Sequence, residues 1–364
     1  MFCASIRPQK GESRRDPNHD RIISMTDSRS TIRWGVLGPG RIARKFATGL
    51  QAASGAELVA VGSRSQEHAD AFGDEFGVPT RHDSYEALAS DPDVDVIYVA
   101  TTHPQHMAAT LLCLDHGKAV LCEKPFAMNL AQAERMVASA REKKLFLMEA
   151  MWTRFRPAIR KAVELVDAGA IGRPELLQVG VGWGSPFDPA SRLFDKAAGG
   201  GILLDGGIYP LSLASHFLGA PEQMASLAHM APTGVDDQAG VLLSYPSGAM
   251  ASIVFSARVT PHAIATLTGT EGRIEFHEDW HKPEGFTLRR ADGSTEIYDF
   301  ALTEGNGYQY EAMHVMACLR DGKTESDVMP LDETLALMKT LDAIRAQWGL
   351  AYDADTDDAT TTTG

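Results

Sequence analysis

Short apolar runs alternating with amphipathic stretches set the plan of the first half of the chain. Ile32, Trp34, Val36 and Leu37 form a dense apolar run that predicts a buried parallel strand, and the glycines after it predict a tight turn into a helix. Leu58 to Val61 predicts a second strand, Val94 to Ala100 a third and Ala119 to Cys122 a fourth. Between them, Gln66 to Phe76, Tyr85 to Ala89 and a stretch ending at His116 predict helices. Strands alternating with helices imply a parallel sheet covered on both faces.

The pattern changes in the second half. Pro157 to Ala168 places Ile159, Ala162, Val163 and Val166 at helical spacing, with Gly169 as terminator. Strand-like runs follow at Leu176 to Val181, Met224 to Ala228, Ala239 to Tyr245, Ala249 to Phe255, Ile264 to Thr268, Phe286 to Arg290 and Thr295 to Phe300. Ser247-Gly248, Glu271-Gly272 and Asp292-Gly293 separate some of them as turn pairs, which predicts hairpins and antiparallel pairing. Tyr308 to Arg320 and Leu331 to Trp348 predict closing helices, and Leu335, Met338, Leu341 and Ile344 form a core stripe on the second. Strands outnumber the helices available to cover them, so one sheet face is expected to be buried against a second subunit, giving a homodimer.

Composition narrows the class. A chain of 364 residues exceeds one ordinary core and implies two domains. No apolar run reaches the length of a membrane span, and a formal charge of −14 disfavours nucleic acid as a partner. Cys3, Cys113, Cys122 and Cys318 lack paired spacing, which predicts reduced thiols, no structural metal and a cytoplasmic location. Residues 1–30 are polar and lack the apolar core of a signal peptide, so they read as a disordered arm, with Met25 an alternative start. Residues 351–364 read as a disordered acidic tail.

The glycine turn carries the first candidate chemistry. Gly38-x-Gly40-x-x-Ala43 follows a strand and opens a helix, the setting in which a pyrophosphate meets backbone N–H groups. Arg41 and Ile42 open that helix and join the candidate cofactor contacts. The second strand ends in Ser63 and Arg64 where the ribose is read, and a hydroxyl beside a cation favours the 2′-phosphate of NADP, with NAD as the alternative. Thr101, His103, Glu123 and Lys124 leave the carboxyl ends of later strands, where ligands of open α/β sheets bind. His103 and His106 receive no catalytic role from this reading. Asp205 and Tyr209 are four apart at the start of a predicted helix and would enter the cleft together, facing Lys124.

These motifs carry a resemblance. The Gly38 turn, T-H-P-Q-H at Thr102 to His106, G-K-A-V-L-C-E-K-P at Gly117 to Pro125 and M-E-A-M-W-T-R-F at Met148 to Phe155 resemble the Gfo/Idh/MocA oxidoreductase superfamily. G-G-G-I-L-L-D-G-G-I-Y at Gly199 to Tyr209, G-V-D-D at Gly234 to Asp237 and Y-E-A-M-H-V at Tyr310 to Val315 extend the match, which is most similar to the dihydrodiol and D-xylose dehydrogenase branch. The resemblance implies an α/β fold with a Rossmann domain over 31–148. It also implies a C-terminal substrate-binding and oligomerisation domain over 149–350, with a large, mainly antiparallel open-faced sheet. Many members carry His where this chain has Tyr209, which weakens transfer of inositol-type substrates.

The implied activity is hydride transfer between NADP and a ring alcohol of a sugar, cyclic polyol or trans-dihydrodiol. Tyr209 is the expected base, Lys124 the ammonium that lowers its pKa, and Asp205 the group that orients the lysine or a substrate hydroxyl. Trp152, Phe155, Trp183 and Trp280 are candidates for an aromatic substrate pocket, and Arg154 and Arg156 either bind an acidic substrate or face solvent. A glycosidase that uses bound NAD transiently, or a dinucleotide-binding regulatory protein without turnover, are the other classes.

Overall fold

The computed structural model describes residues 31–261 and 265–357. The expectations for residues 1–30, including Cys3 and Met25, for Ile264 as a strand start and for residues 358–364 lie outside the described residues.

The first sheet forms the floor of the candidate site. β1 (Ile32–Leu37) is almost wholly buried, as a central parallel strand must be, and leads through the glycine turn into α1 (Arg41–Gln51). Gly38 holds φ at +89°, and a Cβ there would meet the Ala100 carbonyl oxygen at 3.2 Å, so turn and close approach both demand glycine. The chain continues through β2 (Ala56–Gly62), α2 (Gln66–Phe76), β3 (Thr80–His82), α3 (Tyr85–Ala89) and β4 (Val96–Val99). It then forms α4 (His106–Asp115), β5 (Ala119–Glu123), α5 (Leu130–Lys143) and β6 (Leu147–Ala150). All pairings are parallel, in the order β3-β2-β1-β4-β5-β6. The strand order changes direction between β1 and β4, which opens a crevice at their carboxyl ends.

A short 3₁₀ turn, Trp152–Phe155, connects this sheet to α6 (Pro157–Asp167) and β7 (Pro174–Gly182). After a long loop, a π-helical turn at Leu203–Gly207 enters α7 (Ile208–Leu218). Then come β8 (Gln223–Met230), β9 (Asp236–Ser244), β10 (Met250–Ser256), β11 (Ala265–Gly269), β12 (Gly272–Phe276), β13 (Gly285–Arg290) and β14 (Thr295–Asp299). α8 (Gln309–Arg320), α9 (Leu331–Gln347) and α10 (Ala354–Asp357) close the described chain. The second sheet runs β14-β13-β12-β11-β7-β10-β9-β8, antiparallel except where β7 meets β10. α7 packs on β7 and β10, α9 on β8 and α6 on β13, so the helices cover one face. On the other, Leu227, Leu242, Met250 and Val254 are exposed on β8, β9 and β10.

The sequence pattern does not announce β3, β6, β12 or α5. β3 is a three-residue polar edge strand, and β6 reads L-M-E-A because its buried Glu149 accepts from the Phe126 backbone N–H and the Thr334 hydroxyl. The acidic tail also departs from expectation over residues 351–357. Tyr352 is buried and donates to the Gly200 carbonyl at 2.5 Å, while Asp355 pairs with Arg345 at 2.5 Å. An acidic segment is held in place when a buried arginine answers it.

No helix among the described residues is long and apolar enough to cross a membrane. Among the same residues, no group of three or more His, Cys, Asp and Glu could hold a metal ion. Cys113, Cys122 and Cys318 are buried free thiols.

Candidate active site

The crevice of the first sheet opens into a cleft of about 1620 Å³ that reaches the π-helical turn beside the second sheet. Gly38, Gly40, Arg41, Ile42, Ser63, Arg64, Thr101, His103, Glu123 and Lys124 line it from the first half of the chain. Asp205, Tyr209 and Trp152 line it from beyond β6. The structure thus brings together every residue expected to meet cofactor or to act in catalysis.

The floor fits a dinucleotide. A Cβ on Gly40 would meet nothing within 4 Å, so the space left by its missing side chain is open cleft. Gly40 caps α1 without a side-chain hydrogen bond, leaving the first N–H groups of that helix available to an anion. Arg64 is exposed at the end of β2, and no ion pair engages it among the described residues. Ser63 is buried instead, its hydroxyl accepting from the Ser65 backbone N–H at 3.2 Å. Arg44 also lines the cleft, but its guanidinium is held by Glu75 at 2.7 Å and by the Pro39 carbonyl.

At the far end, Lys124 follows β5 and precedes a cis peptide bond to Pro125. Its ammonium donates to the Asp205 backbone carbonyl at 2.7 Å, stands 3.9 Å from the Asp205 carboxylate and lies 4.7 Å from the centre of the Tyr209 ring. Burial opposes this charge, yet Tyr209, Asp205 and Glu123 outweigh it and hold the Lys124 pKa above its ordinary value. The Glu123 carboxyl, raised by burial, accepts from the Tyr98 hydroxyl and from the Lys124 backbone N–H.

Asp205 sits in the π-helical turn, not on a regular helix, and such turns recur at functional sites because the extra residue re-aims side chains. Arg192 donates to one of its carboxylate oxygens at 2.6 Å and the Trp183 indole to the other at 3.2 Å. Burial raises the Asp205 pKa, but Lys124, Arg192 and His103 reverse this and hold it well below the usual carboxylate range. It remains an anion and is no proton acceptor near neutral pH.

Tyr209 opens α7 and is buried, its hydroxyl oxygen accepting from the Trp152 indole at 3.1 Å. One lone pair and the O–H remain for a substrate oxygen. Burial pushes the phenol pKa up, and the Lys124 ammonium opposes this without reversing it. The expectation of a lowered phenol is therefore corrected: desolvation and the nearby Glu123 and Asp205 charges exceed the help from one lysine.

The histidines have structural partners. His103 Nδ1 faces the Gly199 carbonyl at 3.0 Å while Arg192 reaches its Nε2 at 3.3 Å, so the proton belongs on Nδ1. His106 lies between the carbonyls of Pro125 and Thr101 and braces the two strand-end loops.

The aromatic candidates divide. Trp152 stacks on Tyr308 with ring centres 4.6 Å apart, and Trp183 meets Tyr209 edge-on at 6.4 Å. Phe155 is turned from the cleft against His314, and Trp280 is fully buried, its indole donating to the Gly180 carbonyl at 2.6 Å. Neither reaches the cleft. Arg154 and Arg156 face neither substrate nor solvent: Arg154 is buried against Glu333 at 2.6 Å, and Arg156 is buried over the Trp152 ring. Sequence reasoning missed Arg192 and His281. Arg192 sits in a loop without periodicity, and His281 is the neighbour of the tryptophan that drew attention.

Known proteins resemble this chain over most of its length. The model for the oxidoreductase family with an NAD-binding Rossmann fold (GFO/IDH/MocA) matches residues 32–151, and a model for the C-terminal domain of that family matches residues 159–275. Trans-1,2-dihydrobenzene-1,2-diol dehydrogenase of Mus musculus is 38% identical over 331 residues, covering 89% of this chain and 99% of that protein. The Homo sapiens protein of the same name is 37% identical over 332 residues, with the same coverage. Among solved structures, the 3-ketoreductase KijD10 of Actinomadura kijaniata, in complex with NADP and TDP-benzene, is 26% identical with a TM-score of 0.77, covering 87% of this chain and 98% of that one. An aldose-aldose oxidoreductase of Caulobacter crescentus, complexed with glycerol, is 26% identical with a TM-score of 0.79, covering 88% and 98%. On the matched models, the identity and the coverage, the chain belongs to the Gfo/Idh/MocA oxidoreductase family.

Proposed function

We propose that the protein is an NADP-preferring oxidoreductase that moves a hydride between the nicotinamide and a ring alcohol, with a trans-dihydrodiol as the favoured substrate and an aldose or cyclic polyol as the alternative. The observation that carries this reading is the cluster of Lys124, Asp205 and Tyr209 at the end of a cleft whose floor suits a dinucleotide. The relatives named as dihydrodiol dehydrogenases support the diol, and the structural neighbour named as an aldose-aldose oxidoreductase keeps an aldose in view. Arg64, exposed at the end of β2 where a ribose would lie, supports NADP over NAD. The buried thiols accord with a cytoplasmic enzyme.

When bound in the cleft, the cofactor would supply the hydride acceptor for oxidation as NADP+ and the hydride donor for reduction as NADPH. Tyr209 holds the substrate oxygen through its free hydroxyl and exchanges the proton with it. Lys124 stabilises negative charge on either oxygen, and Asp205 fixes the lysine through its backbone carbonyl and its carboxylate. Trp152 and Trp183 wall the site with apolar ring surface and keep Tyr209 and Asp205 in register.

The test is a screen of trans-dihydrodiols, aldoses and cyclitols, following nicotinamide reduction with NADP and NAD in parallel. The expected result is net NADPH formation with a dihydrodiol, and an NADP affinity at least roughly tenfold above that for NAD, from one charge-assisted contact of about 1.5–3 kcal/mol. Arg64→Ala narrows that preference. Equal affinities in the unaltered protein remove Arg64 from the assignment, and no net reduction with any alcohol contradicts the dehydrogenase.

A further inference from the structure

His281 is a polar side chain in an otherwise aromatic corner of the cleft, and the mechanism leaves it unused. Two anchors fix it. Trp280 is buried beneath β7 with its indole on the Gly180 carbonyl, and the Thr153 hydroxyl donates to the His281 carbonyl at 2.7 Å. The imidazole therefore has little freedom to leave the cleft. Its ring meets Trp183 edge-on at 5.4 Å and lies 6.1 Å from the Tyr209 ring.

The two ring nitrogens differ. Nδ1 is sealed among protein atoms and has no hydrogen-bond partner among the described residues. Nδ1 goes unsatisfied in either tautomer, and a buried N–H without an acceptor is the rarer and costlier of the two, so the proton is assigned to Nε2. Burial, with Lys282, Lys124 and Lys45 acting in the same direction against Asp279, holds the pKa down at about 4, so the ring is neutral near pH 7. What lines the cleft is a rigid, neutral imidazole carrying one N–H donor.

We infer that His281 is a specificity-determining residue whose Nε2–H binds the second hydroxyl of a vicinal diol while Tyr209 and Lys124 hold the hydroxyl that reacts. This rests on the reading of the site as a ring-alcohol dehydrogenase. A neutral donor suits a hydroxyl, which accepts a hydrogen bond and carries no charge, and the flanking indoles suit the apolar ring that joins the two hydroxyls. A substrate with a single hydroxyl leaves the N–H to cleft water instead of a substrate oxygen held in place, and the loss of that contact is the source of discrimination.

The test compares trans-1,2-cyclohexanediol with cyclohexanol in the unaltered protein, His281→Phe and His281→Asn, all saturated with NADP. Two quantities are read: kcat/KM for each alcohol, and the affinity of each alcohol from quenching of tryptophan fluorescence. The unaltered protein is expected to favour the diol by roughly threefold to tenfold in both quantities, the net worth of one neutral hydrogen bond. His281→Phe keeps a ring of similar size and collapses the ratio toward unity, and His281→Asn, which restores an N–H donor, recovers part of it. Equal proportional losses for both alcohols mean that the residue only packs, and overturn the inference. A preference for the diol that survives His281→Phe also overturns it. Binding without turnover of either alcohol counts against the dehydrogenase reading, and the affinity ratio then decides the role of His281 by itself. No preference for the diol in the unaltered protein refutes the assignment.

Discussion

A buried tyrosine beside a buried ammonium decides how this site handles protons. Burial raises the Tyr209 phenol pKa even with Lys124 4.7 Å from the ring, and Lys124 itself is held above its ordinary value despite its own burial. The phenol is then neutral at neutral pH, ready to donate to a carbonyl in the direction of reduction. Oxidation needs the phenolate, whose fraction grows about tenfold per pH unit below the pKa. The value of kcat/KM for alcohol oxidation is therefore expected to climb steadily from about pH 7 to about pH 10, while carbonyl reduction stays flat over that range. Initial rates in both directions check this, and an oxidation profile that levels off below about pH 8 contradicts it. Asp205 adds no bend near neutrality, because Lys124 and Arg192, acting against burial, keep it ionised.

At the level of secondary structure, the π-helical turn and the outer sheet face matter most. The turn at Leu203–Gly207 puts Asp205 between Arg192 and Trp183 while Tyr209 opens the next helix. Sequence spacing places these two residues together in the cleft but cannot supply the extra residue per turn or the loop that delivers Arg192, since neither leaves a periodic trace. β6 is hidden for a related reason: Glu149 breaks its apolar run, and only its partners across the fold explain that burial. Trp280 misleads because a buried aromatic and a ligand-facing one look alike in a sequence, whereas the strand-like runs of β8 to β10 declare the strands but not their exposed side, since apolar residues lie on both faces. That exposed side carries Leu227, Leu242, Met250 and Val254 without helices over them. We propose that a second copy of the chain covers it, since a stable interface needs roughly 800 Å² from each partner and this is the broad apolar face available among the described residues. Sedimentation is expected to give a dimer at micromolar concentration, and Leu242→Asp is expected to shift it toward monomer with the fold retained. A monomeric unaltered protein contradicts the proposal.

Across the molecule, charge and topology work together. The chain carries a formal charge of −14, yet Arg41, Lys45, Arg64, Lys124, Arg192 and Lys282 all line the cleft, where Glu123 and Asp205 are the facing carboxylates. An acidic surface with a cationic cleft draws a phosphate-rich cofactor to one place. The first sheet is legible from its strands and its glycine turn because each local signal agrees with the parallel topology. The site between the two sheets is legible in its participants, not in its geometry: Lys124 and Tyr209 stand out, but the pull of burial on the phenol depends on neighbours distant in the chain.

The mechanism turns on Tyr209 exchanging the substrate proton as the hydride moves. Tyr209→Phe keeps the ring and removes the hydroxyl, and it is assayed with substrate deuterated at the reacting carbon so that the chemical step is known to limit turnover. The expected result is a fall in kcat of roughly 10²- to 10⁴-fold with NADP affinity nearly unchanged. A variant that keeps most of its turnover, with a full isotope effect on the transferred hydride, would contradict this mechanism and assign the proton to another group.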